Sequence, residues 1–166
     1  MSTYNWNAAD YFQRLTAANR FARKHDFFFA RVAGASGMEE MLAAMQSQTA
    51  FVCVSDTATG YTEINNSPYT RRTKTVFLVV RHAIDDAEAR QEAFDIAREL
   101  FRQFMSHLIL ERTRLEQQNV YLDPRITFTE VPEYAFSGCA VASFTIAVTT
   151  YTDLRFNQDE WNTTNP

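Results

Sequence analysis

Glycine and proline are scarce in this chain, with four residues of each among 166. Disordered chains are usually rich in these residues, whereas 46% of the residues here are hydrophobic and 14% are aromatic. The sequence also has no Gly-x-Ser-x-Gly turn, His-Glu-x-x-His helix, Cys-x-x-Cys pair or glycine-rich phosphate loop. We therefore expect a regularly folded protein without the common catalytic motifs.

Cysteine, net charge and long apolar runs are also limited. Cys53 and Cys139 each lie in a strand-like apolar run, which predicts two buried free thiols in a reducing compartment. A net charge of −4 gives no general attraction to nucleic acid or to anionic membranes. The runs 76–80 and 139–148 are too short or too polar to span a bilayer, and the N-terminus has no signal-peptide pattern. We expect a cytoplasmic location, no membrane partner and no specific nucleic-acid partner.

Three predicted elements are unusually long. A helical pattern runs from Asp85 or Asp86 to about Gln117, and strand patterns cover 70–83 and 138–151. Each element would be about 45 Å long, because a helix rises about 1.5 Å and a strand about 3.3 Å per residue. Enzymes usually bind their substrates in concave pockets. A long helix along two matching strands therefore indicates a stiff scaffold rather than an active site.

The remaining pattern completes the predicted fold. Further helices are expected at 8–24 and 36–47, further strands at 26–33, 49–57 and 125–131, a long connection at 58–69 and a turn at 132–137. Strand 138–151 has one apolar and one hydroxyl-rich face, which is typical of a sheet covered by helices on one side. The predicted class is α+β, with a mainly antiparallel sheet of about five strands and two or three helices, one of them long, packed on one face. Residues 1–151 would form one domain, and 152–166 a C-terminal tail.

Candidate chemical sites are weak. His82 with Asp85 and Asp86 offers three groups to a metal, but both aspartates are also suited to cap the following helix, and metal sites need three or four convergent ligands. Four other carboxylates are spread over the predicted loops and strands: Glu63, Asp123, Glu130 and Glu133. Exposed carboxylates are usually solvated and do no chemistry. We therefore expect no catalytic residue, no cofactor and no metal.

Two segments favour a protein partner instead. The connection at 58–72 combines tyrosine with arginine, residues that are enriched at interfaces. The tail carries aromatic side chains that must pack against either their own domain or a neighbouring protein. The predicted interface residues are Tyr61, Ile64, Tyr69, Arg71, Arg72, Phe156 and Trp161. The connection is equally compatible with an ordinary hairpin loop, and the tail with packing on its own domain.

The order of the elements resembles that of the tail-terminator (tail-completion) proteins of long-tailed bacteriophages. The likeness lies in an N-terminal helix, a strand pair joined by a long loop, the strand TVFLVV at 75–80, the acidic helix start DDAEAR at 85–90, and a final hairpin. It covers about residues 7–151. The long polar tail and the long helix end depart from the family pattern.

The resemblance implies a subunit that assembles with copies of itself into a ring, typically a hexamer. Such a ring caps the tail tube, contacts the head–tail connector and needs no cofactor. The subunit would be cytoplasmic during assembly and afterwards part of the virion. Two other functions fit the same sequence: an α+β enzyme or small-ligand-binding domain whose site cannot be read from sequence, and an adaptor that shares only the architecture.

Overall fold

The computed structural model describes residues 6–131 and 138–161. Its helices are α1 (Ala8–Ala18), α2 (Arg20–Lys24), α3 (Ala35–Ala44) and α4 (Ala87–Glu116). Its strands are β1 (Phe27–Val32), β2 (Ala50–Ser55), β3 (Thr59–Glu63), β4 (Tyr69–Arg81), β5 (Val120–Leu122), β6 (Phe128–Val131) and β7 (Cys139–Tyr151). A 3₁₀ turn, Gln158–Glu160, lies in the tail. In these ranges, no helix has the length and apolar character that crossing a membrane requires.

Strands β4 and β7 form the centre of the sheet. They pair antiparallel over their whole length, from Tyr69 opposite Tyr151 to Arg81 opposite Cys139. The other edge of β4 is shared, because β2 pairs with residues 76–80 and β3 with residues 69–73. The other edge of β7 is shared in the same way by β5 and β6. Strand β1 completes the sheet by pairing with β2 in parallel.

The α+β class and the single long helix are confirmed, but the predicted sheet was too small and too uniform. The sheet has seven strands and is mixed, since β1 and β2 run parallel. Strand β3 lies inside the predicted 58–69 connection, and all of its residues are exposed, so it has no apolar alternation to reveal it. Strand β5 has only three residues. The predicted turn at 132–137 lies outside the described residues.

One face of the sheet packs against α1 and α4. The aromatic rings of Phe12 from α1, Phe104 from α4 and Phe144 from β7 meet there with centroid separations of 5.5 and 5.7 Å from Phe12. All three side chains are fully buried or nearly so. Burying a side chain of this size contributes about 1.5–3 kcal/mol. This cluster therefore holds the long helix along the central strands.

Helix α3 packs on the opposite face, so the prediction that the helices lie on one face was wrong. Its buried Met38 and Leu42 cluster with Phe51 of β2, Val79 of β4 and Val141 of β7. Because α3 connects the parallel strands β1 and β2, it must cross over one face of the sheet.

The C-terminal end of α3 is held by the guanidinium of Arg81. It donates to the carbonyl oxygen of Leu42 at 2.6 Å and to that of Met45 at 3.2 Å. These are among the helix-end carbonyls that lack a partner within the helix.

Asparagine and aspartate caps set the helix limits on the first face. Asn7 Oδ1 accepts from the backbone nitrogen of Ala9 at 2.9 Å, and Asp86 Oδ1 accepts from that of Ala89 at 2.9 Å. Asn19 ends α1 and caps α2 through the Ala22 nitrogen at 2.7 Å, so the predicted helix 8–24 is divided in two.

Candidate functional site

The second face of the sheet is covered by α3 only near β1, β2, the last residues of β4 and the first residues of β7. Toward the start of β4, its side chains are threonine, tyrosine and arginine, and no described helix packs over them. One row across four strands consists of Tyr61, Arg71, Thr149 and Tyr121. Because residues directly opposite each other share a face, these side chains form one polar and aromatic surface.

The tyrosines of this surface are half exposed. Tyr61 is 53% exposed, Tyr121 50% and Tyr151 52%. The rings of Tyr61 and Tyr69 meet edge to face, with their centroids 6.2 Å apart. A hydrogen bond with the Glu63 carboxylate raises the pKa of Tyr69 to about 12, so its hydroxyl stays protonated at neutral pH.

The Arg71 side chain already has a partner within the protein. Its guanidinium donates to Asp123 Oδ2 at 2.6 Å across β7, and about a quarter of each side chain is exposed. Hydrogen bonds from Arg71 and from the Arg125 backbone lower the pKa of Asp123. Arg72 differs: it lies opposite Val148 on the other face of the sheet and is exposed.

The tail begins beside the β3–β4 hairpin. The Thr152 nitrogen donates to the carbonyl oxygen of Pro68 at 3.0 Å, and the Thr152 and Thr70 hydroxyls are 2.6 Å apart. Beyond this point Phe156 and Trp161 stack on each other, with centroids 6.1 Å apart, and remain 68% and 60% exposed.

We call this region of the molecule the hairpin–tail surface. Its members are exposed large apolar or aromatic side chains of β3, the hairpin turn, β5, the end of β7 and the tail: Tyr61, Ile64, Tyr121, Tyr151, Leu154, Phe156 and Trp161.

A separate cleft of about 310 Å³ lies between α1 and α4. The Tyr11 hydroxyl and His107 Nδ1 are 2.8 Å apart in its wall. Glu111, only 7% exposed, accepts from Trp6 Nε1 at 3.2 Å and also pairs with Arg114.

Burial and the neighbouring charges set the protonation states in this cleft. Burial, reinforced by the Glu111 charge, raises the pKa of Tyr11. Burial alone would also raise the pKa of Glu111, but hydrogen bonds from Arg114 and Trp6 outweigh it and hold that pKa below its usual value.

No family model matches the chain, and no curated protein matches it. The likeness to tail terminators therefore stays a prediction that depends on the order of the elements.

The predicted interface residues fall into two groups. Tyr61, Ile64, Phe156 and Trp161 are well exposed on the hairpin–tail surface, whereas Tyr69 is half buried and Arg71 is held by Asp123. Tyr121 and Tyr151 were not among the predicted residues. The signal for Tyr151 was its place on the hydroxyl-rich face of β7.

The cleft was also missed. One signal was available: the buried stripe of α4 runs through Phe104, Leu108, Glu111 and Leu115, and a carboxylate inside an apolar stripe needs a partner. The position of Glu111 in this stripe therefore indicates that its carboxylate accepts a hydrogen bond. In the structure Trp6 donates that hydrogen bond.

The weaker chemical candidates are not brought together. In the two described ranges, no group of three or more His, Cys, Asp or Glu side chains could hold a metal ion. Asp86 caps α4, Asp123 pairs with Arg71, and Glu130 pairs with Arg98 at 2.7 Å. Glu133 lies outside the described residues. Cys53 and Cys139 are buried free thiols, as predicted.

Proposed function

We propose that this chain is an assembly subunit that resembles a phage tail terminator. Copies of it form a ring that caps a tail tube and contacts the head–tail connector. The mechanism is geometric: a stiff subunit presents binding surfaces at fixed positions, and no bond is made or broken.

The observation that carries this proposal is the hairpin–tail surface. Isolated exposed apolar residues are normal on any protein, but a cluster of them marks an interaction site. Ile64 is 87% exposed and lies in the hairpin turn that bonds to Thr152, the start of the tail. The hairpin and the start of the tail, two segments remote in sequence, therefore lie side by side, and each carries exposed apolar or aromatic side chains. Tyrosine and tryptophan of this kind contribute most to binding at protein interfaces.

The stiffness of the scaffold supports the same proposal. Strands β4 and β7 are paired without interruption, and α4 packs along them from Ala93 to Leu115. A subunit of a closed ring needs heterologous contacts at a fixed angle, and a continuous sheet and helix keep that angle constant.

Self-assembly is tested by weighing the protein in solution. Light scattering on the full chain should give a multiple of 19.1 kDa. The substitution Ile64→Ser should reduce that mass, whereas Ile109→Ser, the same change at an exposed site on α4, should not. Equal loss in both variants, or a monomer at every concentration, would contradict the proposal.

The tail-terminator role itself is tested by two further observations. Tail-tube, tape-measure or connector genes beside the coding sequence would support it, and metabolic neighbours would contradict it. Purified protein that is present while the product of the neighbouring tube gene assembles should cap the tubes and make them shorter in electron micrographs. Ile64→Ser should leave the tubes at the length seen without the protein.

A second candidate is the binding of a small anion in the α1–α4 cleft. It is favoured by Arg14, which lines the cleft beside Tyr11 and His107. Calorimetric titration with inorganic phosphate tests it. Arg14→Gln should abolish any heat of binding, while the exposed Arg20→Gln should not change it.

A further inference from the structure

The tail segment 152–157 has the pattern of a strand but no strand partner. Thr152, Leu154 and Phe156 alternate with Asp153, Arg155 and Asn157, which is the period of a half-buried strand. The structure nevertheless places these residues in no regular element, and Leu154 remains 47% exposed. The only ion pair of this segment in the described structure joins Asp153 to Arg155 two residues away, with Arg155 85% exposed. Such a pair contributes little to holding the segment in place.

Strand β3 has the complementary property. It pairs with β4 on one side only, so the hydrogen-bonding groups on its other side face solvent. Natural edge strands are usually protected by lysine, proline or a covering helix. The sequence of β3, TGYTE, has neither lysine nor proline, and no described helix packs on it. Strand β1, another edge, is flanked instead by α1, α2 and α3.

The two elements match in size and in surface. Strand β3 has five residues, and so does the part of the tail that follows Thr152, residues 153–157. Each carries one exposed aromatic side chain, Tyr61 on β3 and Phe156 on the tail. A shallow hollow of about 390 Å³ runs along β3 and the start of β4 and includes Tyr61 in its wall. A strand added at β3 would place its apolar side chains against Tyr61, and cross-strand pairs of this kind stabilise a sheet.

The tail cannot reach this edge in its own chain. Thr152 is bonded to Pro68 at the end of β7, and the free side of β3 lies three strand spacings away, which is about 14 Å. Residues 153–156 span about 13 Å when fully extended. Their whole length would be needed to cross β4 and β3, so none of these residues could pair with the free edge. A strand formed by residues 153–157 can therefore reach this edge only from another copy.

We propose that residues 153–157 of one copy add as a strand to the free edge of β3 in the next copy, with Leu154 and Phe156 packed beside Tyr61. This rests on the self-assembly proposed above and names the contact that produces it. The donor and the acceptor are different surfaces, so each copy can give its tail to one neighbour and receive the tail of another. Such a heterologous contact can close into a ring.

The first arm of the test removes the donor strand. Phe156→Pro leaves the folded core intact, since Phe156 lies outside every element, but it removes a backbone donor and disfavours pairing. Its expected mass is 19.1 kDa, that of the monomer. Phe156→Val keeps an apolar, strand-favouring residue, and we expect it to assemble. Circular dichroism should show the same fold in both.

The second arm detects the contact by disulfide formation between two different variants. With Phe156 opposite Tyr61, an antiparallel tail puts Leu154 opposite Glu63, and a parallel tail puts it opposite Thr59. Leu154→Cys protein is therefore mixed with Glu63→Cys or Thr59→Cys protein under mild oxidation. A dimer should form in one of the two mixtures and in no variant alone, and Leu154→Cys mixed with Ile109→Cys should stay monomeric on a non-reducing gel.

The outcomes separate the two proposals. If the full chain assembles but Phe156→Pro assembles equally well and neither mixture cross-links, strand addition is wrong while self-assembly stands. If Glu63→Cys or Thr59→Cys cross-links with itself and not with Leu154→Cys, two β3 edges pair with each other and the tail is not the donor. If the full chain is a monomer at every concentration and no mixture cross-links, both proposals fail.

Discussion

Trp6 donates a hydrogen bond from its indole nitrogen to the Glu111 carboxylate at 3.2 Å, across 105 positions of sequence. The contact ties Trp6, two residues before α1, to the last third of α4. Glu111 is nearly buried and also pairs with Arg114, so its charge is compensated inside the protein.

Replacing this carboxylate should destabilise the fold. Glu111→Gln keeps the shape but removes the charge, and hydrogen bonds to charged groups contribute about 1.5–3 kcal/mol. We expect the free energy of unfolding in urea to fall by about 1–3 kcal/mol. Glu116→Gln removes an exposed partner of Arg112 on the same helix, and we expect it to change stability by less than about 0.5 kcal/mol. Equal effects would mean that the buried contact contributes nothing.

The same residue should make stability depend on pH in the acid range. The pKa of Glu111 is lowered in the folded protein, because hydrogen bonds from Arg114 and Trp6 outweigh burial. Its contribution is therefore complete above the unfolded pKa of about 4.3 and is lost as the pH falls through the lower folded pKa. Unfolding measured from pH 7 to pH 2 should show a smaller acid loss in Glu111→Gln than in the natural chain. If the free energy of unfolding falls equally with pH in both proteins, the acid loss comes from other carboxylates.

Two glycines should respond in opposite directions to alanine. A Cβ at Gly60 would lie 1.8 Å from the carbonyl oxygen of Arg71, so the β3–β4 pairing must shift. We expect a cost of about 1–3 kcal/mol and, if β3 accepts a neighbour's tail, a loss of assembly. A Cβ at Gly37 in α3 meets nothing closer than 3.5 Å. Gly37→Ala should stabilise the protein by about 0.5–1 kcal/mol, because alanine favours a helix. Urea titration of both variants measures the contrast.

The Arg71–Asp123 pair should stabilise the uncovered sheet face modestly. Both side chains are partly exposed, so Asp123→Asn should cost about 0.5–1 kcal/mol at neutral pH. Because Arg71 and the Arg125 backbone lower the pKa of Asp123, the cost should vanish as the pH falls through that lowered value. Asp153→Asn removes an aspartate that pairs with the 85% exposed Arg155, and we expect no change in unfolding there.

The two thiols should be inert in the folded protein. Burial raises the pKa of Cys53 to about 12 and also raises that of Cys139. The thiolate is the reactive form, so iodoacetamide at pH 8 should label neither residue until denaturant is added. Ile109→Cys, an exposed site on α4, should be labelled at once under the same conditions. Mass spectrometry of the alkylated protein distinguishes the three positions.

Long periodic elements were predictable, and short or exposed ones were not. The predicted helix from Asp85 or Asp86 to Gln117 is α4 within about two residues at each end, and strand 138–151 is β7 within one. Strand β3 could not be found in this way, because its residues are exposed on both faces and carry no alternation. The position of α3 had a signal that was not used. The run from Ala50 to Val54 is apolar at every position, which is typical of a strand covered on both faces, and all of β2 is buried in the structure.

The candidate interface was only partly predictable for a related reason. Aromatic residues in a polar segment, such as Tyr61 and Trp161, stand out in the sequence and are exposed in the structure. Arg71 stood out equally, but its partner Asp123 is 52 positions away and becomes a neighbour only when β5 joins the sheet. Pairings of this kind depend on sheet topology, which no local pattern contains.

Helix α3 covers one end of the second sheet face and leaves the other end open. Amide protons in β2 and the last residues of β4 are shielded from both sides, whereas those near Tyr69 are shielded from one. Deuterium uptake should therefore be graded along a single strand, slow beside α3 and fast beside the hairpin. If copies of the chain assemble as proposed, the slowly exchanging end of the sheet would fix the subunit's shape and the rapidly exchanging end would become protected on contact with a neighbour.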